Sequence, residues 1–275
     1  MPELPEVETV RKTLKELVLN QKIVGVTVNW AKIIKEPDDH KVFSELIKDE
    51  VIWDISRKGK FLLFQLNNYT LVSHLRMEGK YGVFEKSEPV NKHVHVIFHL
   101  EDGKELRYQD VRKFGTMHLF PKGKELSVKP LNQIGPDPFE EEYTFANIYN
   151  KIHRSERVIK NILLDQQIIA GLGNIYVDET LYRAQIHPLR KGSSLTESEV
   201  KSLMHHAKET LSEAVIQGGT TIRSYVNSQG QIGMFQQQLF AYGQENNPCN
   251  RCGSPIIKTK VSNRGTHLCP NCQSL

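Results

Sequence analysis

Hydrophobic residues near the start of the chain recur at the spacing of one helical face, with charged residues between them. This pattern predicts an amphipathic helix that runs to about Leu19. Pro5 is compatible with its first turn, because the N–H that proline lacks has no helical partner there. The apolar positions of this helix are Val7, Val10, Leu14, Leu17 and Val18.

From about Ile23 to Phe120 the pattern changes to short runs rich in β-branched and aromatic residues, separated by Gly, Asn or Asp. Several runs alternate between apolar and polar residues, which is typical of half-buried antiparallel strands. Such strands with one flanking helix predict a β-sandwich or a barrel. The runs are KIVGVTVNW, KFLLFQL, TLVSHLR, HVHVIFHL and TMHLF.

The sequence IGPDPF, residues Ile134 to Phe139, stops regular structure, and the runs that follow have helical periodicity and caps. These runs are VIKNILLDQQIIAG, NIYVDETLYRAQI and TESEVKSLMHHAKETLSEAVIQGG. We therefore expect an α+β protein with a domain boundary at this point. The predicted divisions are an N-terminal domain 1–134, a linker 135–138, a helical domain 139–217, a polar glycine-punctuated loop 218–240 and a C-terminal module 241–275.

The composition is ordinary for a soluble globular protein, with 39% hydrophobic and 25% charged residues in a chain of 275. The first residues contain no apolar signal-peptide core, and no run of about 18 uncharged apolar residues occurs. We expect a soluble, non-secreted protein without a membrane partner.

Positive charge is concentrated at the C-terminal end. Residues 249–275 contain four basic side chains and no acidic one, which equals the net charge of +4 of the whole chain. This distribution favours a module that binds a polyanion. A solvated basic terminus is the alternative that charge alone leaves open.

The same tail contains all the cysteines, as two Cys-x-x-Cys pairs separated by sixteen residues. Two such pairs can place four thiolates around one Zn²⁺ ion, whereas two disulfides or unpaired thiols are the alternative. The residues between them predict a strand, an Asn-Arg-Gly turn with Arg264 near its tip, and a second strand. The predicted zinc ligands are Cys249, Cys252, Cys269 and Cys272.

The chain opens with MPELPEVE, which suggests a nucleophile at its start. Removal of Met1 would leave Pro2 as a free amine, whose pKa of about 8 keeps far more of it neutral at pH 7 than a lysine with a pKa of about 10.4. Neutral amines form Schiff bases with aldehyde-like carbons, and Glu3 can transfer the accompanying proton. If Met1 persists, the Pro2 nitrogen is locked in a peptide bond. Taken alone, a proline at position two is usually incidental.

Six motifs, in order along essentially the whole chain, resemble formamidopyrimidine-DNA glycosylase, a bacterial repair enzyme for 8-oxoguanine. The resemblance implies an N-terminal β-sandwich with a flanking catalytic helix, a helix-two-turns-helix domain and a zinc-finger β-hairpin with one structural Zn²⁺ per chain. The motifs are PELPEVE, RKGKFL, HLRMEGKY, QDVRKFGTM, GLGNIYVDE and CNRCG…RGTHLCPNCQ.

The resemblance also implies the activity: a bifunctional glycosylase and AP lyase of base excision repair, which excises oxidised purines from duplex DNA. Such an enzyme would act as a monomer on damaged double-stranded DNA, in the cytoplasm at the nucleoid. Pro2 would attack C1′ of the damaged nucleotide and Glu3 would act as the acid. Lys60 would contact the phosphate and assist β-elimination, and Arg264 would grip phosphates and assist δ-elimination. Glu6, one turn away, would tune the local field.

A damaged base must leave the duplex before it can react, and the resemblance implies residues that fill the hole. Phe114 would act as a wedge, Met77 as a plug and Arg112 as a donor to the orphaned cytosine. Without the family match, Met77 and Phe114 would be read as core residues and Lys60 as a solvated turn lysine. The flanking charges in RMEG and RKFG favour exposed turns instead.

The remaining predicted DNA contacts are His74, Arg76, His93, Lys160 and Asn174. AGLGN lacks the preceding strand and the third glycine of a dinucleotide-binding loop, so we interpret it as a turn between helices where Asn174 meets a phosphate. The loop 218–240 would cap the extruded base. Two alternatives remain at this point: an endonuclease VIII-type glycosylase for oxidised pyrimidines, and a non-catalytic zinc-containing DNA-binding protein.

Overall fold

The computed structural model describes residues 1–220 and 238–275. The predicted capping loop 218–240 therefore falls mostly outside the described residues. The chain divides into two compact units, and the boundary between them lies between Gln133 and Ile134. Thr220 belongs to the first unit, and residues 238–275 belong to the second.

The described residues of the first unit contain two α-helices, α1 (Leu4–Val18) and α2 (His40–Ile47), and two β-sheets. One sheet has the strand order β1-β7-β8-β6 and the other β2-β9-β5-β4-β3, with the pairs antiparallel apart from β2 and β9. The strands are β1 (Ile23–Val28), β2 (Ile34–Glu36), β3 (Asp54–Lys58), β4 (Phe61–Gln65), β5 (Tyr69–His74), β6 (Lys80–Glu85), β7 (Val94–Leu100), β8 (Lys104–Gln109) and β9 (Thr116–Pro121).

Both sheets and both helices contribute to one hydrophobic core, which confirms the predicted β-sandwich. Ile55 and Phe64 of one sheet and Phe98 of the other are buried in it. Val10 and Leu14 of α1 join them, because the 3.6-residue period places its apolar positions on one face. The predicted helix end near Leu19 agrees with the observed end at Val18.

The helix α2 lies inside the region that the sequence analysis interpreted as strands. Asp39 caps it, because the Asp39 carboxylate accepts a hydrogen bond from Lys41 N at 2.8 Å. Phe43 and Ile47, four residues apart, are its buried positions. A helix of two turns gives too few apolar positions to separate its period from that of the neighbouring strands.

The second unit is mainly helical and ends in a β-hairpin. A capping box starts α6, since Thr196 Oγ1 accepts from Glu199 N while the Glu199 carboxylate accepts from Thr196 N. No helix of residues 1–220 and 238–275 is long and apolar enough to cross a membrane. The elements are α3 (Phe145–His153), α4 (Ile159–Leu164), α5 (Asn174–Arg183), α6 (Glu197–Ile216), β10 (Ile257–Val261) and β11 (Arg264–Leu268).

The hairpin turn differs from the predicted Asn-Arg-Gly turn. Ser262 and Asn263 occupy it with φ of 47° and 63°, while Arg264 opens β11 and Gly265 pairs with Lys260. A two-residue turn with positive φ at both positions follows the twist of the flanking strands, and asparagine tolerates this conformation. Arg264 therefore lies on a strand rather than in a turn.

Two histidines whose pKa values are lowered by burial should make the stability of the first unit depend on pH. Burial is the main cause that lowers the pKa of His118 to about 4 and the pKa of His74 well below its ordinary value of 6.5. The unfolded chain then binds more protons below pH 6.5, so stability is complete above that pH and falls as the pH drops towards 4. We expect His118→Gln to reduce this loss.

Urea unfolding at pH 7 and pH 5 measures the effect through tryptophan fluorescence, since the chain has two tryptophans and both lie in the first unit. His40→Gln is the matched control, because the His40 side chain is 38% exposed. An equal loss of unfolding free energy in the parent and in His118→Gln would contradict the assignment.

Candidate active site

Pro2 and Glu3 are buried in the first unit, whereas Met1 is exposed. Pro2 and Glu3 precede α1, and Glu3 is 3% exposed. Pro5 lies in the first helical turn, as predicted. Met1 precedes Pro2, so the Pro2 nitrogen belongs to a peptide bond in this structure.

Glu6 fixes the backbone around the chain start. Its Oε2 accepts a hydrogen bond from Glu3 N at 2.8 Å, and its Oε1 accepts from Thr220 N at 2.8 Å and Thr220 Oγ1 at 3.1 Å. Thr220 is the last described residue before 221–237. The sequence predicts only an electrostatic role for Glu6, because no local pattern pairs it with a residue so far along the chain.

Lys60 lies in the two-residue turn between β3 and β4, and α1 packs on both strands. Gly59 supplies the positive φ of 55° that the tight turn requires. Lys60 is only 4% exposed, so it is not the solvated lysine of the alternative reading.

The charges of Glu3, Glu6 and Lys60 all act on the terminal amine of Met1. Burial is the main cause that lowers the pKa of the amine of Met1, and the charge of Lys60 lowers it further, while Glu3, Glu6 and Glu78 oppose the shift. The net effect favours the neutral amine, which is the nucleophilic form. The structure thus gathers the predicted residues Pro2, Glu3 and Lys60 around the chain start.

Two exposed turns carry the predicted hole-filling residues. Met77 lies in the β5–β6 turn and is 37% exposed, and Phe114 lies in the β8–β9 loop and is 52% exposed. The guanidinium of Arg112 lies 4.8 Å from the centre of the Phe114 ring. Neither apolar side chain is a core residue.

Asp110 shapes the β8–β9 loop and was missed by the sequence analysis. Its buried carboxylate accepts hydrogen bonds from Arg112 N at 3.0 Å and from Phe114 N and Gly115 N at 2.8 Å each. Lys113, with φ of 58°, places Nζ 4.1 Å from the centre of the Trp30 ring. An aspartate followed within five residues by a glycine is a turn signal that could have indicated this loop.

The side chain of Tyr108 is a common support for both turns. An ideal Cβ on Gly79 would lie 2.1 Å from Tyr108 Oη, and one on Gly115 would lie 1.8 Å from the same oxygen. Only glycine fits at either position. The turns that carry Met77 and Phe114 therefore pack against one hydroxyl group.

The two predicted histidine contacts support neighbouring backbone. His74 Nδ1 accepts a hydrogen bond from Arg76 N at 2.9 Å, which helps to hold Arg76 at a φ of 54°. Burial keeps the pKa of His74 low and the ring neutral. His93 is half-buried, and its carbonyl accepts from Asp110 N at 3.0 Å.

In the second unit, Lys160 is fully buried. Its ammonium donates to Asp178 Oδ1 at 2.6 Å, to Thr266 Oγ1 at 2.8 Å and to Gly265 O at 3.1 Å. A buried lysine is stable when it is paired in this way. Lys160 therefore fixes the start of β11.

Asn174 and Arg264 are brought to the same part of this unit. Asn174 opens α5 after the turn from α4, as predicted, and its Nδ2 donates to Gly265 O at 2.9 Å. Its Oδ1 is buried and has no hydrogen-bond partner within residues 1–220 and 238–275. Arg264 is exposed beside Gly265.

Two adjacent carboxylates on α5 anchor the C-terminal module. Asp178 Oδ2 accepts from His267 N at 2.9 Å, and Glu179 accepts from the backbone N–H groups of residues 240–242 at 2.8–3.0 Å. Burial raises the pKa of Glu179, and the three N–H groups oppose that shift. The motif GLGNIYVDE thus contains a structural pair that the sequence analysis did not single out.

The four cysteines fit a single tetrahedral metal ion. Their sulfur atoms all lie within 4.8 Å of one another, with Cys249 Sγ 3.9 Å from Cys272 Sγ and Cys252 Sγ 3.5 Å from Cys269 Sγ. A Zn–S bond of about 2.3 Å requires sulfur separations of about 3.8 Å. A disulfide requires about 2.0 Å. The geometry supports the zinc site and excludes the disulfide alternative.

Three family models match the chain in order. They describe the formamidopyrimidine-DNA glycosylase N-terminal domain at residues 1–117, the H2TH domain of the same enzyme at 134–226, and the zinc finger found in FPG and IleRS at 246–275. The formamidopyrimidine-DNA glycosylase of Oceanobacillus iheyensis is 58% identical over 273 residues, which cover 99% of this chain and 98% of that protein. That of Cytobacillus firmus is 57% identical over 99% of this chain and its own full length.

Solved structures show the same fold. A complex of wild-type Lactococcus lactis Fpg with N7-benzyl-Fapy-dG-containing DNA matches with a TM-score of 0.93 and 39% identity over 100% of both chains. A complex of the same enzyme with abasic-site DNA gives 0.92 and 38% over 99% of this chain and 100% of that one. Because these likenesses extend over nearly its whole length, this chain belongs to the formamidopyrimidine-DNA glycosylase family of zinc-finger DNA repair enzymes.

Proposed function

We propose that the protein is a bifunctional DNA glycosylase and AP lyase, which removes 8-oxoguanine and formamidopyrimidines from duplex DNA through a Schiff base on Pro2. The observation that carries this proposal is that Pro2, Glu3 and Lys60 are all buried, and that the charges of Glu3 and Lys60 act on the amine of Met1, next to Pro2. Relatives solved with Fapy-type and abasic DNA support the substrate class. The protein acts as a monomer on DNA in the bacterial cytoplasm.

The first steps exchange one bond at C1′ for another. With Met1 removed, the lone pair of the Pro2 nitrogen attacks C1′, and the glycosidic electrons leave with the base. The Pro2 nitrogen then loses its proton, which balances the proton that the departing base takes up. Glu3 then protonates the ring oxygen as the C1′–O4′ bond opens, which gives the iminium. Burial of Glu3 in this site supports its role as the proton donor.

The iminium then accepts electrons during strand cleavage. Loss of a proton from C2′ drives departure of the 3′ phosphate by β-elimination, and a second proton loss, from C4′, expels the 5′ phosphate by δ-elimination. Lys60 assists the first elimination by contacting the phosphate. Arg264 grips the phosphates and assists the second. The neighbouring Gly265 O accepts hydrogen bonds from Lys160 and Asn174, which holds the start of the strand that carries Arg264 and suits that role.

Base extrusion is served by the two exposed turns. Phe114 wedges the base step, Met77 fills the vacated space and Arg112 donates hydrogen bonds to the orphaned cytosine. The exposure of both apolar side chains and the rigid support of their backbones by Asp110 and Tyr108 favour this function over core packing.

The phosphate contacts fall into two groups. Arg76, His93 and Asn174 contact the DNA backbone directly, and the position of Asn174 as the first residue of α5 supports its role, because a helix N-terminus favours phosphate. His74 and Lys160 serve DNA binding by holding Arg76 and the start of β11, since both side chains are buried.

Zinc supplies structure rather than chemistry here. Cys249, Cys252, Cys269 and Cys272 would hold the ion and so clamp the ends of the hairpin that carries Arg264. Arg264 is thereby held at the start of β11.

Glu3→Gln tests the proposed acid. We expect excision of 8-oxoguanine opposite cytosine to fall by roughly 10²- to 10⁴-fold, because general acid catalysis contributes about that factor. Single-turnover gel assays of the nicked strand measure it. Excision that stays within a fewfold of the parent rate would remove Glu3 from the mechanism.

Arg264→Gln should separate the two eliminations. We expect strands that carry the 3′ unsaturated aldehyde of β-elimination to accumulate at the expense of the δ-elimination product, as resolved on a denaturing gel. Lys260→Gln is the matched control, because Lys260 is an exposed cation on the same hairpin. Equal product ratios in the two variants would contradict the role of Arg264.

The pH profile tests the nucleophile. Pro2 is buried, and burial disfavours the charged form of an amine, so once Met1 is removed the rate of Schiff-base formation should rise with pH around a pKa lower than that of an unfolded peptide that begins with Pro-Glu. The charge of Glu78 raises the pKa of the amine of Met1, next to Pro2. Glu78→Gln should therefore shift the rising part of the pH–rate profile to still lower pH. If the rate of Schiff-base formation in this variant rises at the same pH as in the parent, or at a higher pH, the electrostatic account is contradicted.

Gly115→Ala tests the support of the β8–β9 loop. The added methyl group would collide with Tyr108 Oη, which costs about 1–3 kcal/mol of strain and should weaken binding to lesion-containing duplex by about ten- to hundredfold. Fluorescence anisotropy measures the affinity. Gly25→Ala is the control, since its nearest neighbour would lie 3.8 Å away. Equal affinities would show that the loop position is unimportant.

A further inference from the structure

We propose that the second unit contains another metal site, separate from the four cysteines, formed by His205, His206 and Glu209 on α6. It would take a divalent transition metal of the nickel, copper or zinc kind. Nothing in the proposed excision chemistry uses these three side chains.

The geometry of the helix brings the three donors together. Glu209 follows His205 by four residues and His206 by three, and residues at these spacings are neighbours on a helix surface. One potential ligand atom from each residue lies within 4.8 Å of the other two. His206 Nδ1 lies 2.9 Å from Glu209 Oε2, and the two imidazole rings are 5.2 Å apart at their centres.

The donor set selects the kind of metal. Two imidazoles and one carboxylate suit zinc, nickel and copper better than magnesium or calcium, which prefer oxygen ligands. Three protein ligands leave at least one coordination position open. A cavity of about 570 Å³, which His206 and Glu209 help to line, leaves room for water or another ligand there.

The neighbouring charges permit metal binding. Arg183 NH1 lies 3.6 Å from Glu209, but its NH2 lies 2.6 Å from Glu213, so the guanidinium keeps a carboxylate partner when Glu209 turns to a metal. Arg251, which also lines the cavity, donates to the carbonyls of Tyr182 and Arg183.

The competing interpretation is an ordinary ion pair between His206 and Glu209 on a helix surface. That interpretation does not require His205, which is exposed and forms no part of the pair. Participation of His205 therefore distinguishes a metal site from an ion pair.

Titration of the zinc-loaded full chain with Ni²⁺, without a histidine affinity tag, tests the proposal. Calorimetry should show a saturable binding event beyond the cysteine site, and it should be lost in both His205→Ala and Glu209→Gln. His153→Ala, an exposed histidine on α3, and Glu197→Gln, an exposed glutamate on α6, are the matched controls and should retain it.

Co²⁺ provides a spectroscopic readout that does not depend on activity. Binding to histidine and carboxylate gives no thiolate-to-metal charge-transfer band, whereas exchange into the cysteine site does. Absence of a saturable event, binding that survives both substitutions, or a thiolate band as the only signal would overturn the proposal.

Discussion

A buried carboxylate holds the chain start in the place that its chemistry requires. Glu6 binds Glu3 N with one oxygen and Thr220 with the other, while the apolar face of α1 is fixed in the sandwich core. An unpaired carboxylate at this depth would be costly, so these hydrogen bonds and the helix position stabilise each other. Every proposed step at C1′ depends on this placement, because a nucleophile must be held within bonding distance.

In the second unit, buried carboxylates again hold segments of the chain in place. Asp178 and Glu179 follow each other on α5, and their carboxylates bind different segments: one holds Lys160 and His267, the other holds the backbone of residues 240–242. Helix α5 thereby orients both the start of β11 and the chain that leads into the zinc module. The cysteines close the hairpin from its other end, so Arg264 projects from a strand that is supported at both ends.

Much of this arrangement was predictable from the sequence where the signal is local. The period of α1 and the alternation of the strands predict the fold. The Cys-x-x-Cys spacing predicts the zinc ligands, and the six motifs predict the family. Helix α2 is not predictable in this way, because two turns are too short to show a period. The hairpin turn was predicted at Asn-Arg-Gly because glycine favours turns, but Ser262 and Asn263 form it. The bond between Glu6 and Thr220 and the convergence of Gly79 and Gly115 on Tyr108 depend on tertiary packing, which no local pattern encodes. The roles of the individual site residues stay predictions.

The most direct test is borohydride reduction of the protein during reaction with duplex DNA that contains 8-oxoguanine, followed by peptide mapping of the adduct by mass spectrometry. The account predicts a covalent DNA adduct on Pro2 at the terminus of a chain that has lost Met1. An adduct on a lysine, an adduct on a chain that retains Met1, or no adduct while excision proceeds would contradict it.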